Sequence, residues 1–186
     1  MICHYSPFFK AAFNSTMIEG QTQSMELDDI EGDTFGLFVN WLYTQKIERA
    51  DDTNLTAEEL GKLWILGQRF IIPQLQNKAM SILCQQGAIF VDGGLINFYR
   101  LAFKAAERTP LQRFSLKELV CFAYDCVRRG NKHLVGNLMN TCLSIGPDMA
   151  KEFATALVEQ GVLGGIAKWP GSDGDDLADY MVPEGE

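Results

Sequence analysis

Phe35-Gly36-Leu37-Phe38-Val39-Asn40-Trp41-Leu42-Tyr43-Thr44 is the stretch on which the fold turns. Phe35, Phe38, Val39, Leu42 and Tyr43 fall at i, i+3, i+4, i+7 and i+8, which lines them along one face of an α-helix. Trp41 sits off that stripe, so the helix is expected to be covered on more than one side. Toward the N-terminus, Ser6-Pro7 has the form of a helix start: the serine hydroxyl can accept from an orphan amide, and proline at the first turn lacks only an N–H that would be unpaired anyway. Phe9 and Phe13 then meet at i, i+4. Between the two helices, Gln23, Ser24, Met25, Glu26 and Leu27 alternate as a strand would, with Met25 and Leu27 on one face. A lone strand cannot satisfy its own ladder, and nothing else in the chain offers a good partner.

Toward the C-terminus, Thr56-Ala57-Glu58-Glu59 is a capping box that opens a helix with Leu60, Leu63, Trp64 and Gly67 along one side. Pro73 opens another, with Leu75, Ala79, Ile82 and Leu83 inward. After Gly87 and Gly93-Gly94 comes a second helical block. Leu95, Tyr99, Ala102, Phe103 and Ala106 form one stripe, which Thr109-Pro110 is expected to end. Ser115-Leu116-Lys117-Glu118 then reads as a capping box, with Leu116, Leu119, Val120, Ala123 and Val127 inward, Arg128 and Arg129 at the negative end, and Gly130 as the stop. Leu134, Val135, Leu138, Met139 and Cys142 predict a further helix ended by Gly146-Pro147. Met149, Phe153, Ala156 and Leu157 predict one more, ended by Gly161. No fixed-period repeat links them.

The chain of 186 residues is 47% hydrophobic and 22% charged, with a mean hydropathy of -0.04, the balance of a globular protein rather than a disordered one. Its net charge of -8 gives no electrostatic basis for grasping a phosphate backbone, so nucleic acid is not an expected ligand. Residues 170–186 hold six of the acids, no Lys or Arg, and several Gly and Pro, and this acidic tail is expected to be disordered. No apolar run approaches the roughly 18 residues of a membrane helix, and the sequence opens without a basic and apolar export signal. The expected setting is intracellular, cytoplasmic or nuclear, without a membrane.

Catalysis finds little support in the residues. A nucleophile would need a base beside it, and the histidines are His4 and His133. Cys3-His4 are adjacent, which points their side chains apart on a regular backbone. Cys121 and Cys126 lie about 140° apart around a helix, so they cannot jointly hold zinc from it. Cysteines on apolar stripes are expected as small core residues. Gly161, Gly164 and Gly165 make no phosphate loop. The expectation is a non-enzyme with no catalytic, cofactor-binding or metal residues.

Residues 3 to 86 resemble the BTB/POZ domain. Cys3-His4-Tyr5-Ser6-Pro7-Phe8-Phe9-Lys10-Ala11-Ala12-Phe13 looks like the family's second helix. The strand-like stretch ending in Leu27, an acidic turn, and the run from Phe35 through Trp41-Leu42-Tyr43-Thr44 follow in the family's order. Leu63-Trp64-Ile65-Leu66 and Ile72-Pro73-Gln74-Leu75-Gln76 resemble its later helices. With Gly20-Gln21-Thr22 after Glu19, the style is most similar to fungal BTB proteins whose second half is helical. The resemblance implies a protein-interaction module, with domains of this kind pairing with one another and many serving as substrate adaptors for cullin-type ubiquitin ligases. In the adaptors a hydrophobic-x-Glu element follows the second helix, and Met17-Ile18-Glu19 matches it in type and place, implying a cullin and a substrate protein as partners.

Only five residues precede Ser6, where the family has two strands and a helix. The expected architecture is therefore mainly α as it stands: an α+β BTB/POZ helical cluster lacking its first strands (1–86), a helical region (87–169) and the acidic tail (170–186). An N-terminally truncated domain would also lose much of the surface used for homodimer pairing. A helical scaffold with no ubiquitin role, or a non-functional fragment of a longer BTB protein, remains as the alternative.

Overall fold

The computed structural model describes residues 1–49, 53–86, 95–104, 108–162 and 177–184. Its helices are α1 (Ile2–Tyr5), α2 (Pro7–Phe13), α3 (Ile18–Thr22), α4 (Gly32–Thr44), α5 (Ala57–Arg69), α6 (Pro73–Gln86), α7 (Leu95–Ala102), α8 (Pro110–Arg128), α9 (Lys132–Ile145) and α10 (Pro147–Val162), followed by a single 3-10 turn at Ala178–Tyr180. The fold is mainly α. The chain divides into two compact units, residues 1–80 with 182–186, and residues 81–181.

The first unit is organised around aromatic rings. Phe9, Phe38 and Phe70 are buried together, with ring centroids 4.5 Å apart for Phe9 and Phe70 and 5.6 Å for Phe38 and Phe70. Trp41, Trp64, Leu60, Leu63, Leu75 and Met80 complete a solvent-free core. Burial of side chains of this size contributes about 1.5–3 kcal/mol each before ordering costs. The helix starts stand where the sequence places them. Ser6 caps α2, its Oγ accepting from the Phe9 N–H at 3.1 Å while its hydroxyl donates to the Phe70 carbonyl at 2.5 Å, so one buried serine both starts a helix and ties it to the turn after α5. Thr56 and Glu59 form the reciprocal capping box of α5. Gly67 is required by a close approach: a Cβ there would lie 2.8 Å from Gln76 Cγ and 3.3 Å from the Ile72 carbonyl oxygen.

Two expectations for this unit are corrected. The buried face of α4 is Thr34, Leu37, Phe38, Trp41 and Leu42, whereas Phe35 and Tyr43 are exposed. The helix is apolar nearly all round, so periodicity alone does not choose a face. The choice is made by Tyr5, whose ring stands 5.3 Å from Trp41, and by Phe70 against Phe38. The strand expected at Gln23 to Leu27 does not form, and no strand occurs among the described residues. Gln23 is left-handed at φ 52° and ends α3, its amide donating to the Phe13 carbonyl at 2.9 Å and the Gly20 carbonyl at 2.7 Å. Met25 and Leu27 are nevertheless half-buried while Ser24 and Glu26 are exposed, so the alternation in burial is real without a ladder.

The second unit corrects a helix start. Thr109 and Pro110 do not end α7; they open α8, with Thr109 Oγ1 accepting from the Gln112 N–H at 3.2 Å and Pro110 at the first position. Ser115 is then mid-helix, its hydroxyl donating to the Gln112 carbonyl at 2.9 Å, and Glu118 is buried rather than capping. The sequence holds two start signals close together. The earlier one wins because it lets Leu111 and Phe114 enter the core. Leu119, Val120 and Ala123 face inward as expected, but Val127 is exposed and Cys126 takes the inner place. Gly130, at φ 82°, stops the helix. On α9 the expected stripe is half-buried, with Cys142 alone of its five residues fully covered, and on α10 Met149 and Phe153 reach the core. Gly87, Gly93, Gly94, Ala106, Gly164 and Gly165 lie outside the described residues, as do residues 170–176 of the tail.

Over residues 177–184 the acidic end departs from the expected disorder. In the second unit Tyr180 is buried edge-on to Phe114 at 5.6 Å, and Arg113 donates to the Asp179 carbonyl at 2.8 Å. In the first unit the Asn77 side chain pairs with both main-chain groups of Val182, accepting its N–H at 2.7 Å and donating to its carbonyl at 2.9 Å. Charge and composition predict poor collapse, but one aromatic anchor and a satisfied backbone suffice to seat a short segment.

Candidate functional site

The turn from α2 into α3 carries Met17, Ile18 and Glu19. Its frame is built from short polar side chains reaching backbone groups. Ser15 donates to the Ala12 carbonyl at 2.7 Å and accepts the Met17 N–H at 3.2 Å, while Gln21 Nε2 donates to the Thr16 carbonyl at 2.9 Å. The Gln21 N–H returns to the Met17 carbonyl at 3.1 Å, and Thr22 Oγ1 donates to the Ile18 carbonyl at 2.7 Å. Gly20 is the keystone, since a Cβ there would sit 1.9 Å from the Ser15 carbonyl oxygen. No other residue lets α3 fold back so closely on the turn.

The frame leaves apolar side chains in water. Met17 is 70% exposed at the N-cap of α3, and Ile18 is 69% exposed in its first turn. Glu19, half-buried, follows in the same turn. The three residues thus start a short helix, with Met17 at its N-cap and Ile18 and Glu19 in its first turn. The sequence named the three presented residues and missed their supports, Ser15, Gly20 and Gln23. Gly20 directly after Glu19 was the one available signal.

The charged groups of this unit lie elsewhere. Lys62 bridges Glu31 at 2.7 Å and Glu58 at 2.8 Å, and hydrogen bonding to these two carboxylates raises its pKa. Arg69 pairs with Asp29 at 2.7 Å and holds that carboxyl below its ordinary value. Burial pushes the Glu59 carboxyl up, but donors from Thr56 and the Arg49 guanidinium outweigh it and bring it below the ordinary range. A groove of about 650 Å³ runs beside α4, lined by Gly32, Asp33, Gly36, Leu37, Asn40 and Arg49 among others. Apart from Lys62–Glu58, which lies within α5, these pairs tie α5 to the segments that precede and follow α4 in sequence.

The cysteines behave as core residues. Cys84, Cys121, Cys126 and Cys142 are buried and Cys3 is half-buried. Burial pushes the Cys84 thiol up to about 12 and the Cys142 thiol to about 11, and raises Cys126, the opposite of what an activated nucleophile needs. His4 and His133 are exposed. Among the described residues no group of three or more His, Cys, Asp or Glu side chains could hold a metal ion, and no helix is long and apolar enough to cross a membrane.

Residues 1–87 match the family model of the BTB/POZ domain. Kelch-like protein 40 of Xenopus tropicalis is 30% identical over 108 residues, and Kelch-like protein 40a of Danio rerio is 31% identical over 108 residues, each alignment covering 55% of this chain and 17% of the relative. Kelch-like protein 40b of Danio rerio aligns over 180 residues, 95% of this chain and 27% of the relative, at 23% identity. The chain thus spans about a sixth to a quarter of the length of the relatives it matches. The alignment with the longest reach extends past the BTB/POZ match into the second helical unit. No solved structure matches the chain significantly.

Proposed function

We propose that this protein is a non-enzymatic interaction module of BTB/POZ type that joins a substrate protein to a cullin-type ubiquitin ligase, with Met17 and Ile18 as the apolar contact and Glu19 as the orienting carboxylate. The observation that carries the reading is two large apolar side chains, 70% and 69% exposed, held side by side on a turn whose backbone is fixed by Gly20 and four short polar side chains. An exposed apolar pair normally relaxes onto the nearest surface. Here the frame holds it out, which favours a role in contact. Methionine suits such a role, because its unbranched thioether fits an irregular groove. The match of residues 1–87 to the BTB/POZ model, and the place of Met17-Ile18-Glu19 after the second helix, support the choice of partner class.

Central apolar anchors dominate small interfaces and rim charges contribute less. Met17→Ala is expected to weaken cullin binding by about 1–2 kcal/mol and Glu19→Ala by less. Neither should change the folding midpoint. The test is a pull-down of the full chain with its cullin, wild type beside Met17→Ala. Absence of cullin with the wild type, or undiminished binding by the variant, would turn the assignment to the second reading, a helical scaffold with no ubiquitin role. That reading draws on the exposed Leu143 and Val158 in the second unit.

A further inference from the structure

Residues 15–24, which present Met17 and Ile18, hold four hydroxyls, and these are not equivalent. Ser15 Oγ is committed twice, donating to the Ala12 carbonyl at 2.7 Å and accepting the Met17 N–H at 3.2 Å. Thr22 Oγ1 donates to the Ile18 carbonyl at 2.7 Å, and Ser24 Oγ donates to Thr22 Oγ1 at 3.0 Å. Thr16 gives the frame its carbonyl, which accepts from Gln21 Nε2 at 2.9 Å. Its hydroxyl bonds to none of the described residues, and the residue is exposed. A group added at Ser15 or Thr22 would break a bond of the frame, whereas one added at Thr16 would break none.

The sequence around these hydroxyls separates them in the same way. Glu19 stands three residues beyond Thr16, whereas Ile18, Met25 and Leu27 stand three beyond Ser15, Thr22 and Ser24. A carboxylate at a fixed distance on the C-terminal side is what a kinase cleft lined by Lys and Arg selects, since charge patterns of this kind steer substrate choice. Entry into such a cleft requires the chain to open. Opening costs little here, because α3 has no buried residue and the side-chain bonds from Gln21 and Thr22 lie in solvent.

We infer that Thr16 is a phosphorylation site for an acid-directed protein kinase, and that the phosphate turns off the contact made by Met17 and Ile18. In the transfer, Thr16 Oγ1 bonds to the γ-phosphorus of ATP and the bond from that phosphorus to the bridging oxygen breaks. ADP leaves with the electron pair, and the hydroxyl proton passes to the kinase's base. The product carries about −1.5 to −2 charges next to the residue that must enter an apolar groove. Seating Met17 then strips water from a phosphate, and Glu19, a carboxylate three residues on, adds repulsion rather than a partner. The switch rests on the cullin reading; the modification itself does not.

The test treats the full chain with an acid-directed Ser/Thr kinase and Mg-ATP and maps the phosphate by mass spectrometry. Wild type is expected to take up phosphate on Thr16, Thr16→Val to take up none in this turn, and Glu19→Gln to react about tenfold more slowly. In cullin pull-downs, phosphorylated wild type should bind about tenfold more weakly than the untreated chain, whereas Thr16→Val should bind like untreated wild type with or without kinase. Thermal melting should be the same before and after phosphorylation, which separates loss of contact from loss of fold. No phosphate on Thr16, or equal uptake by Glu19→Gln, would overturn the modification, and undiminished cullin binding by the phosphorylated chain would overturn the switch. Cullin absent from untreated wild type would sink the cullin reading and the switch together, with the phosphate map still deciding the modification.

Discussion

The two units of this protein differ in how their helices meet. In the first, Trp41, Trp64, Phe38 and Phe70 are each at most 1% exposed, and polar side chains such as Ser6 bond across the core to distant backbone. In the second, α9 rests on a half-buried stripe of Leu134, Val135, Leu138 and Met139, with Leu143 more than half exposed. A helix with one fully covered residue in its stripe draws little on hydrophobic burial and opens at lower free energy than one that inserts tryptophan. A tightly packed first unit can hold an apolar pair such as Met17 and Ile18 out in water.

The largest expected effect tests that contrast directly. Trp64→Ala should cost about 3–5 kcal/mol in urea unfolding, because it empties a sealed site, while Leu138→Ala on α9 should cost about 1 kcal/mol or less. Similar losses at the two positions would show that the second unit is packed as tightly as the first. An intermediate effect is expected for helix starts. Ser6→Ala removes both a cap and a buried cross-core hydrogen bond and should cost about 1–3 kcal/mol, and Thr109→Ala, a cap alone, about 1 kcal/mol. Ser115→Ala should change stability by less than either, since its hydroxyl only bonds back to its own helix. A larger loss at Ser115 than at Thr109 would restore the later helix start.

The smallest effect concerns pH. The Glu59 carboxyl is lowered in the folded chain, so its contribution to stability is present above the unfolded carboxylate pKa and is lost as pH falls through the lower, folded value. The stability difference between wild type and Glu59→Gln should therefore be full near neutrality and shrink in acid below the ordinary range of a glutamate. Asp125 in the second unit is lowered in the same direction by hydrogen bonds from Arg128 and Arg129, but it is held at the end of a helix by flexible, exposed guanidiniums. Asp125→Asn should change the acid profile less than Glu59→Gln does, because screening by water and salt weakens exposed pairs. Acid titrations of the two variants beside wild type check this.

Where the sequence was legible, the deciding physics was local. Ser6-Pro7 and Thr56 to Glu59 each satisfy orphan amides with atoms a few residues away, so they read correctly without knowledge of the fold. Gly130 ends α8 for the same reason, since a left-handed position after two arginines is a local demand. Signals failed where two local solutions competed. Thr109-Pro110 and Ser115 to Glu118 both qualify as helix starts, and only the core that takes Leu111 and Phe114 distinguishes them. At the candidate site, Met17, Ile18 and Glu19 were named through the resemblance to BTB/POZ adaptors, whereas the one-turn helix they open and the close approach at Gly20 depend on the fold.

The sequence by itself determined that the chain is helical and where most helices begin. Those properties follow from periodicity, caps and counts, which depend on neighbours along the chain. Only the tertiary structure decided which face of α4 is buried, that Met25 and Leu27 pack without a ladder, that Gly20 must lie against the Ser15 carbonyl, and that Tyr180 leaves an acidic tail to cover Phe114. Each of these depends on a partner far away in sequence or on the absence of room for a Cβ, and burial against such a partner outweighs what any residue prefers alone.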